Sequence, residues 1–229
     1  MKLRITVLLI GLGGATGLLF QFGGSSAVAG DEMTVAVGSL AMVPVAGAEH
    51  EYVGSKKCKM CHKDQFKSWE TTTHAKAFEI LKPGERKEAK EKHGLDPAKD
   101  YTTDASCLAC HTTGFGKKSG YAIPDAADEK AVKKMATLGG AGCESCHGPG
   151  KDYNKVKKAI KKTFKADGTK YKFEQLAAAG MIKIEASTCT CCHNDKSPTF
   201  AESKALDFEK MTADEKAIHA HKELKMRED

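Results

Sequence analysis

The stretch Cys58-Lys59-Met60-Cys61-His62 is the first of four copies of one short pattern in this chain. The other copies are Cys107-Leu-Ala-Cys110-His111, Cys143-Glu-Ser-Cys146-His147 and Cys189-Thr-Cys-Cys192-His193. Each copy reads CxxCH, the pattern at which haem c is attached to a polypeptide. Two thiols three positions apart reach the two vinyl groups of one porphyrin, and the adjacent histidine binds its iron as the proximal ligand. The chain is therefore predicted to carry four covalently bound haem c groups.

Two other uses of these cysteines have to be weighed. Exported proteins commonly pair cysteines in disulfides, and CxxC units also build zinc sites. Neither use explains a histidine directly after the second cysteine of every copy, so haem attachment is favoured. The ninth cysteine, Cys191, stands outside the pattern. It is interpreted as a small residue packed beside the fourth haem, with a reactive thiol as the alternative.

The composition indicates that ordinary side chains do not fill the interior. Only 7% of the 229 residues are aromatic, and 29% are charged. The motifs recur at intervals of 49, 36 and 46 residues, which is too irregular for a solenoid. Short helical patterns lie between them, whereas alternating strand patterns are nearly absent. We expect a mainly α fold: a compact multihaem unit in which helices and loops wrap around four haems, with little or no β-structure.

The first 29 residues have the features of a secretory signal peptide. Lys2 and Arg4 precede an uncharged apolar run, and Ala27-Val-Ala29 provides a small-residue cleavage motif. A second cleavage motif lies near residue 48, and an uncleaved membrane anchor is the alternative to cleavage. The predicted organisation is a signal peptide at 1–29, a flexible segment at 30–51 and a tetrahaem domain at 52–229. The mature chain is expected to be periplasmic and without a transmembrane span.

Five histidines outside the motifs are candidates for the distal side of the irons: His50, His74, His93, His219 and His221. An apolar stripe from Asp64 to Leu81 predicts a helix that presents His74 to a haem. A second predicted helix, at about Thr212 to Lys225, carries His219 and His221. Residues two apart on a helix point to different faces, so at most one of these two is expected to bind a given iron.

The segment from Lys151 to Lys172 has nine lysines and two aspartates. One interpretation is a solvated helix face. The other is a docking surface that attracts an acidic redox partner. Nucleic acid is not expected as a partner, because the protein is expected to be exported and the segment has no arginine.

Several longer stretches resemble the cytochrome c-554 family, tetrahaem electron carriers of ammonia-oxidising bacteria. The resemblance runs from about Tyr52 to Leu224. It rests on the following stretches: Lys57-Cys-Lys-Met-Cys-His62, Ser68-Trp69, Thr73-His-Ala-Lys-Ala77, Leu95-Asp-Pro-Ala-Lys-Asp-Tyr-Thr102, Cys110-His-Thr-Thr-Gly-Phe-Gly116 and Gly142-Cys-Glu-Ser-Cys-His-Gly-Pro-Gly150. It implies a periplasmic, mainly helical protein with closely stacked haem pairs.

The resemblance also implies axial ligands. His74 corresponds to the distal ligand of the third haem, opposite His147, and His219 to that of the fourth haem, opposite His193. The second haem, on His111, would be five-coordinate.

One position departs from the family pattern. The family's distal histidine for the first haem lies a few residues beyond Gly148-Pro-Gly150, where this chain has Lys157. The candidates for that place are His93, Lys157, His50, a nearby methionine or no ligand at all, and His93 or a vacancy is favoured.

These observations support a non-enzymatic electron carrier as the first hypothesis. The resemblance implies a donor like hydroxylamine oxidoreductase, and the acceptor would be a quinone-linked membrane protein or a soluble cytochrome. The second hypothesis is a reductase of nitric oxide, or of another small nitrogen oxide, at the five-coordinate haem. A third is a haem module inside a larger complex.

Overall fold

The computed structural model describes residues 49–198 and 207–228. Within these ranges the chain forms ten α-helices and one 3₁₀ helix, and no strand is present. Two isolated bridges, Thr112 with Gly139 and Tyr171 with Arg227, are the β-type pairings found there. The expectation of a mainly α fold is confirmed.

The helices are short, with one exception. In chain order they are α1 (Ser55–Cys58), α2 (Lys63–Trp69), the 3₁₀ helix (Glu79–Leu81), α3 (Lys87–Lys92), α4 (Ala105–His111), α5 (Glu129–Ala136), α6 (Cys143–His147), α7 (Gly150–Asp167), α8 (Phe173–Ala177), α9 (Ala186–Thr190) and α10 (Phe208–Ala213). The exception is α7, whose 18 residues include much of the lysine-rich segment.

Buried side chains form two small clusters. The first cluster joins the loops around α4 and α5 and contains Leu81, Tyr101, Leu108, Tyr121, Met135 and Leu138. The second joins α7 to α8 and contains Tyr153, Tyr171, Leu176 and Ala179. Clusters of this size are small for the length of chain that they serve. This agrees with the expectation that much of the interior belongs to a bound group.

The predicted helix from Asp64 to Leu81 is wrong in its middle. Helix α2 ends at Trp69, and turns follow until the 3₁₀ helix begins. The hydroxyls of Thr71 and Thr72 donate to the carbonyls of Ser68 and Trp69, at 2.7 and 2.8 Å. These side-chain hydrogen bonds occupy the last carbonyls of α2, which would otherwise accept from the amides of a further helical turn. His74 therefore lies in a turn.

The predicted helix from Thr212 to Lys225 is also wrong. Helix α10 ends at Ala213, and Asp214 adopts an extended conformation with ψ of 100°. The Asp214 carboxylate accepts a hydrogen bond from the amide of Lys216 at 2.9 Å, which forms a turn in place of a further helical turn. His219 and His221 follow in irregular chain.

The predictions for the N-terminal region mostly lie outside the described residues. This holds for the signal peptide at 1–29 and for all but the last three residues of the segment at 30–51. In the part of the chain that is described, no helix combines the length and the apolar character that crossing a membrane requires.

Candidate haem-binding site

Each CxxCH motif is folded as one helical turn. The amides of His62 and His193 donate to the carbonyls of Cys58 and Cys189, both at 2.9 Å. The second and third motifs lie within α4 and α6. Residues three and four apart share one face of a helical turn. The two cysteines and the histidine of each motif therefore face the same side, as double thioether attachment and iron binding require.

The motif cysteines are available for attachment. All nine cysteines are free of disulfides. Among the described residues, no group of three or more His, Cys, Asp or Glu side chains is arranged to hold a metal ion. The histidines instead occur as facing pairs, which suits an iron whose other four ligands come from a porphyrin.

The motifs meet in two pairs. The thiols of Cys58 and Cys143 are close enough to interact, and the amide of Cys143 donates to the hydroxyl of Ser55 in α1 at 3.1 Å, so the first motif lies against the third. The Cys110 thiol contacts the carbonyl of Cys192 at 4.0 Å, so the second motif lies against the fourth. Porphyrins attached at neighbouring motifs would lie close to each other.

Two of the proximal histidines face a histidine from elsewhere in the chain. The ring centres of His74 and His193 are 6.1 Å apart, and those of His147 and His219 are 6.2 Å apart. An imidazole nitrogen lies about 2.0 Å from a bound metal ion and about 1.1 Å from its ring centre, so two imidazoles on opposite sides of one ion have centres about 6.2 Å apart. The spacing of both pairs matches that of two imidazoles bound to one iron.

This pairing differs from the one that the family resemblance implies. The resemblance places His74 opposite His147 and His219 opposite His193, whereas the geometry joins His74 to His193 and His219 to His147. The same four residues are involved in both arrangements, with the partners exchanged. His74 lies in the turns after α2, and His219 lies in the irregular chain after α10. These segments stand where the two helices were predicted.

Three candidate ligand histidines are oriented by backbone carbonyls. The Nδ1 atom of His111 lies 2.6 Å from the carbonyl oxygen of Ala77. The Nδ1 atoms of His74 and His219 lie 3.0 and 2.9 Å from the carbonyl oxygens of Ala217 and Ala220. A carbonyl accepts, so Nδ1 carries the proton and Nε2 keeps its lone pair for a metal.

Burial favours the neutral, metal-binding form of the proximal histidines. Burial, and then the neighbouring His219, lowers the pKa of His147 to about 4. The pKa of His62 is also about 4, because of burial and then the nearby Lys157 ammonium. The donor set, its spacing and its protonation therefore fit haem c.

The first motif faces a lysine. The Nζ atom of Lys157, on α7, lies 2.7 Å from Nε2 of His62. Burial lowers the pKa of Lys157. This is the position at which the family pattern would place a distal histidine.

A buried carboxylate, which the sequence analysis did not single out, holds the first and third motifs together. Glu144 is 2% exposed and accepts hydrogen bonds from the amides of Val53, Gly54 and Gly150, at 2.9, 2.7 and 2.6 Å. Burial raises its pKa, and the amide hydrogen bonds oppose the rise. Gly150 begins α7, whose N-terminal dipole also favours a negative charge. The signal in the sequence is an acidic residue inside a CxxCH motif.

The other predicted candidates have different surroundings. His93 is the C-terminal cap of α3 and is half-buried. His50 bonds through Nδ1 to the Asp152 carboxylate at 3.0 Å. His221 is exposed, with its ring centre 5.3 Å from that of His219. The Cys191 thiol is exposed and donates to the carbonyl of Thr188 at 2.9 Å.

The chain is similar to characterised proteins over most of its length. The family model described as "Cytochrome c554 and c-prime" matches residues 57–148. Cytochrome c-554 of Nitrosomonas europaea is 40% identical in an alignment of 192 residues, which covers 77% of this chain and 78% of that protein. The solved structure of reduced cytochrome c554 from that organism matches with a TM-score of 0.70 and 38% identity, covering 80% of this chain and 91% of the other. The chain therefore belongs to the cytochrome c-554 family, c-type cytochromes that carry electrons on covalently bound haem.

Proposed function

We propose that this protein is a periplasmic tetrahaem electron carrier with one haem c on each CxxCH motif. It receives electrons from a donor similar to hydroxylamine oxidoreductase and passes them to a quinone-linked or soluble cytochrome acceptor. The observation that carries the proposal is the spacing of the two histidine pairs, 6.1 and 6.2 Å between ring centres, beside motifs that contact each other.

The proposed ligands follow from these pairs. His62, His111, His147 and His193 are the proximal ligands, His219 is the distal ligand opposite His147, and His74 is the distal ligand opposite His193. The cysteines that form the thioethers are Cys58, Cys61, Cys107, Cys110, Cys143, Cys146, Cys189 and Cys192. When bound, haem supplies the one-electron chemistry of its iron. The chain holds neighbouring porphyrins close together and fixes their axial imidazoles.

Axial imidazoles on both sides of an iron leave no place for an exogenous ligand and favour electron transfer. Two of the proposed haems have this arrangement. Reduction of a small nitrogen oxide at the haem on His111 has no observation of its own in its favour. The proposed periplasmic location is supported by the sequence of residues 1–29, where an apolar run is followed by a small-residue cleavage motif.

The first test is the mass of the mature protein from a host with haem-ligation machinery. Four attached haems add about 2.5 kDa to the polypeptide. A bare or zinc-loaded polypeptide would contradict the proposal.

The second test follows reduction of the oxidised protein by hydroxylamine oxidoreductase and hydroxylamine in a stopped-flow spectrometer. Fast reduction of the haem bands is expected, and no reduction above the rate without the donor enzyme would contradict the proposed donor. Mixing the reduced protein with nitric oxide is the companion measurement. Reoxidation faster than background would favour the reductase hypothesis instead.

A further inference from the structure

The helix α7 carries one lysine on its packed face. Tyr153 belongs to the second core cluster, and Val156 and Ile160 pack against it. Lys157 lies four residues after Tyr153 and three before Ile160. Residues at these spacings share one side of a helix. The other lysines of α7 are exposed: Lys151, Lys155, Lys158, Lys161, Lys162 and Lys165. Lys157 alone among the lysines of this helix is turned toward the interior of the protein.

The position of α7 along its axis is fixed near its N-terminus. The Gly150 amide donates to Glu144, and the Lys151 amide donates to the carbonyl of Glu51 at 3.0 Å. The Asp152 carboxylate bonds to His50 at 3.0 Å. Glu144 belongs to the third motif and also binds the amide of Gly54, which lies directly before α1. The same contacts therefore set the register of α7 against the first motif, two turns before Lys157.

The Lys157 amine reaches the iron-binding atom of the first motif. Its Nζ lies 2.7 Å from Nε2 of His62. Two nitrogen ligands on opposite sides of one iron are about 4 Å apart, since each bond is about 2.0 Å long. The flexible four-carbon stem of a lysine can withdraw its amine by about 1.3 Å through rotamer changes. An unprotonated amine has one lone pair and can serve as an axial ligand, as an imidazole does.

We propose that Lys157 is the distal axial ligand of the haem attached at Cys58 and Cys61, opposite His62. This inference rests on the proposed attachment of haem at the first motif. It replaces the sequence-based preference for His93 or a vacancy. Helix α3, which His93 caps, packs elsewhere: its Lys90 donates to the carbonyl of Lys82 and lies over the ring of Tyr101 in the first core cluster.

The test uses the fully matured protein, with Lys157→Ala, Lys157→His and the exposed neighbour Lys158→Ala as a matched control. Low-temperature electron paramagnetic resonance of the oxidised proteins counts high-spin and low-spin irons. In Lys157→Ala one haem is expected to change from low-spin to high-spin, and Lys158→Ala is expected to keep the wild-type ratio. Near-infrared magnetic circular dichroism should show one amine–imidazole haem in the wild type, which Lys157→His converts to a bis-imidazole haem.

Two results with the alanine variants would overturn the inference. One is an unchanged spin count in Lys157→Ala, and the other is a new high-spin haem in His93→Ala. Lys157→His guards against a folding defect in the alanine variant: a folded histidine variant that keeps the wild-type spectrum also excludes lysine ligation. Haem content by mass separates this inference from the proposed function. Four haems with no effect at position 157 contradict the ligand alone, whereas fewer than four in the wild type contradict the proposed function.

Discussion

The hydroxyl of Ser68 accepts a hydrogen bond from the amide of Ala220 at 3.0 Å, 152 residues along the chain. The same hydroxyl donates to the carbonyl of Glu215 at 3.5 Å. Trp69, the next residue, donates through its indole nitrogen to the carbonyl of Ala141 at 3.0 Å, two residues before the third motif. The Ser68-Trp69 pair therefore ties the segment that carries His219 to the proximal residues of the third motif. This gives a physical reason for one of the stretches on which the family resemblance rests.

Replacing Ser68 by alanine should loosen that segment. The change removes the acceptor for the Ala220 amide and is expected to cost roughly 0.5–1.5 kcal/mol locally. Hydrogen exchange followed by mass spectrometry should show faster exchange in peptides covering residues 215–221. Thr163→Ala is the control, because that hydroxyl bonds only within α7, to the carbonyl of Ala159 at 3.3 Å. Unchanged exchange at 215–221 in the Ser68 variant would show that the tie contributes nothing.

His219 and His221 are neighbours of the same residue type, and only His219 faces a proximal histidine. His219→Ala should leave the haem on His147 without its distal ligand, so that one more high-spin iron appears in electron paramagnetic resonance. His221→Ala should leave the spin count unchanged, since that ring is exposed and its backbone amide bonds to Glu215 at 2.6 Å. A new high-spin iron in His221→Ala but not in His219→Ala would show that His221 is the distal ligand.

The local geometry of the motifs could be predicted from the sequence, but the ligand pairs could not. CxxCH spacing fixes the face on which two cysteines and a histidine lie, because a helical turn has a fixed period. The predicted helices were expected to include His74 and His219, but neither residue lies in a helix. The threonine hydroxyls after Trp69 and the Asp214 side chain end those helices locally. Which imidazole then faces which depends on contacts between distant segments, such as that of Ser68 with Ala220.

Glu144 should contribute strongly to the free energy of unfolding. Glu144→Ala leaves the amides of Val53, Gly54 and Gly150 buried without an acceptor, and each such loss costs about 1–3 kcal/mol. The free energy of unfolding, measured by chemical denaturation of the haem-loaded protein, should fall by at least about 2 kcal/mol. Glu174→Ala, an exposed site on α8, should change it little. Equal effects at the two positions would contradict the role of Glu144 as a link between motifs.

The contact of His50 with Asp152 should make the stability of the folded protein depend on pH in the acidic range. A hydrogen bond from His50, and then one from Lys155, lowers the pKa of Asp152 below its value in the unfolded chain, which is about 3.9. Because the folded state favours the ionised form, this contribution is present above about pH 3.9 and is lost as the pH falls through the lowered pKa. Thermal unfolding should therefore shift less in Asp152→Asn than in the wild type between pH 5 and 3. Asp195→Asn serves as a control, and identical pH profiles for Asp152→Asn and the wild type would count against this contact.

The exposed lysines of α7 allow a test of the docking hypothesis. Lys158 and Lys162 lie one helical turn apart on the same exposed side, so Lys158→Glu with Lys162→Glu reverses the charge of one patch. If an acidic donor docks there, its association rate constant should fall by roughly tenfold at low salt, and the loss should shrink as salt screens the attraction. Lys130→Glu with Lys134→Glu makes the same four-unit change in charge on α5, at the same spacing. Equal slowing by both double variants would indicate an effect of net charge, whereas slowing by the α7 variant alone would locate the docking surface beside the first haem.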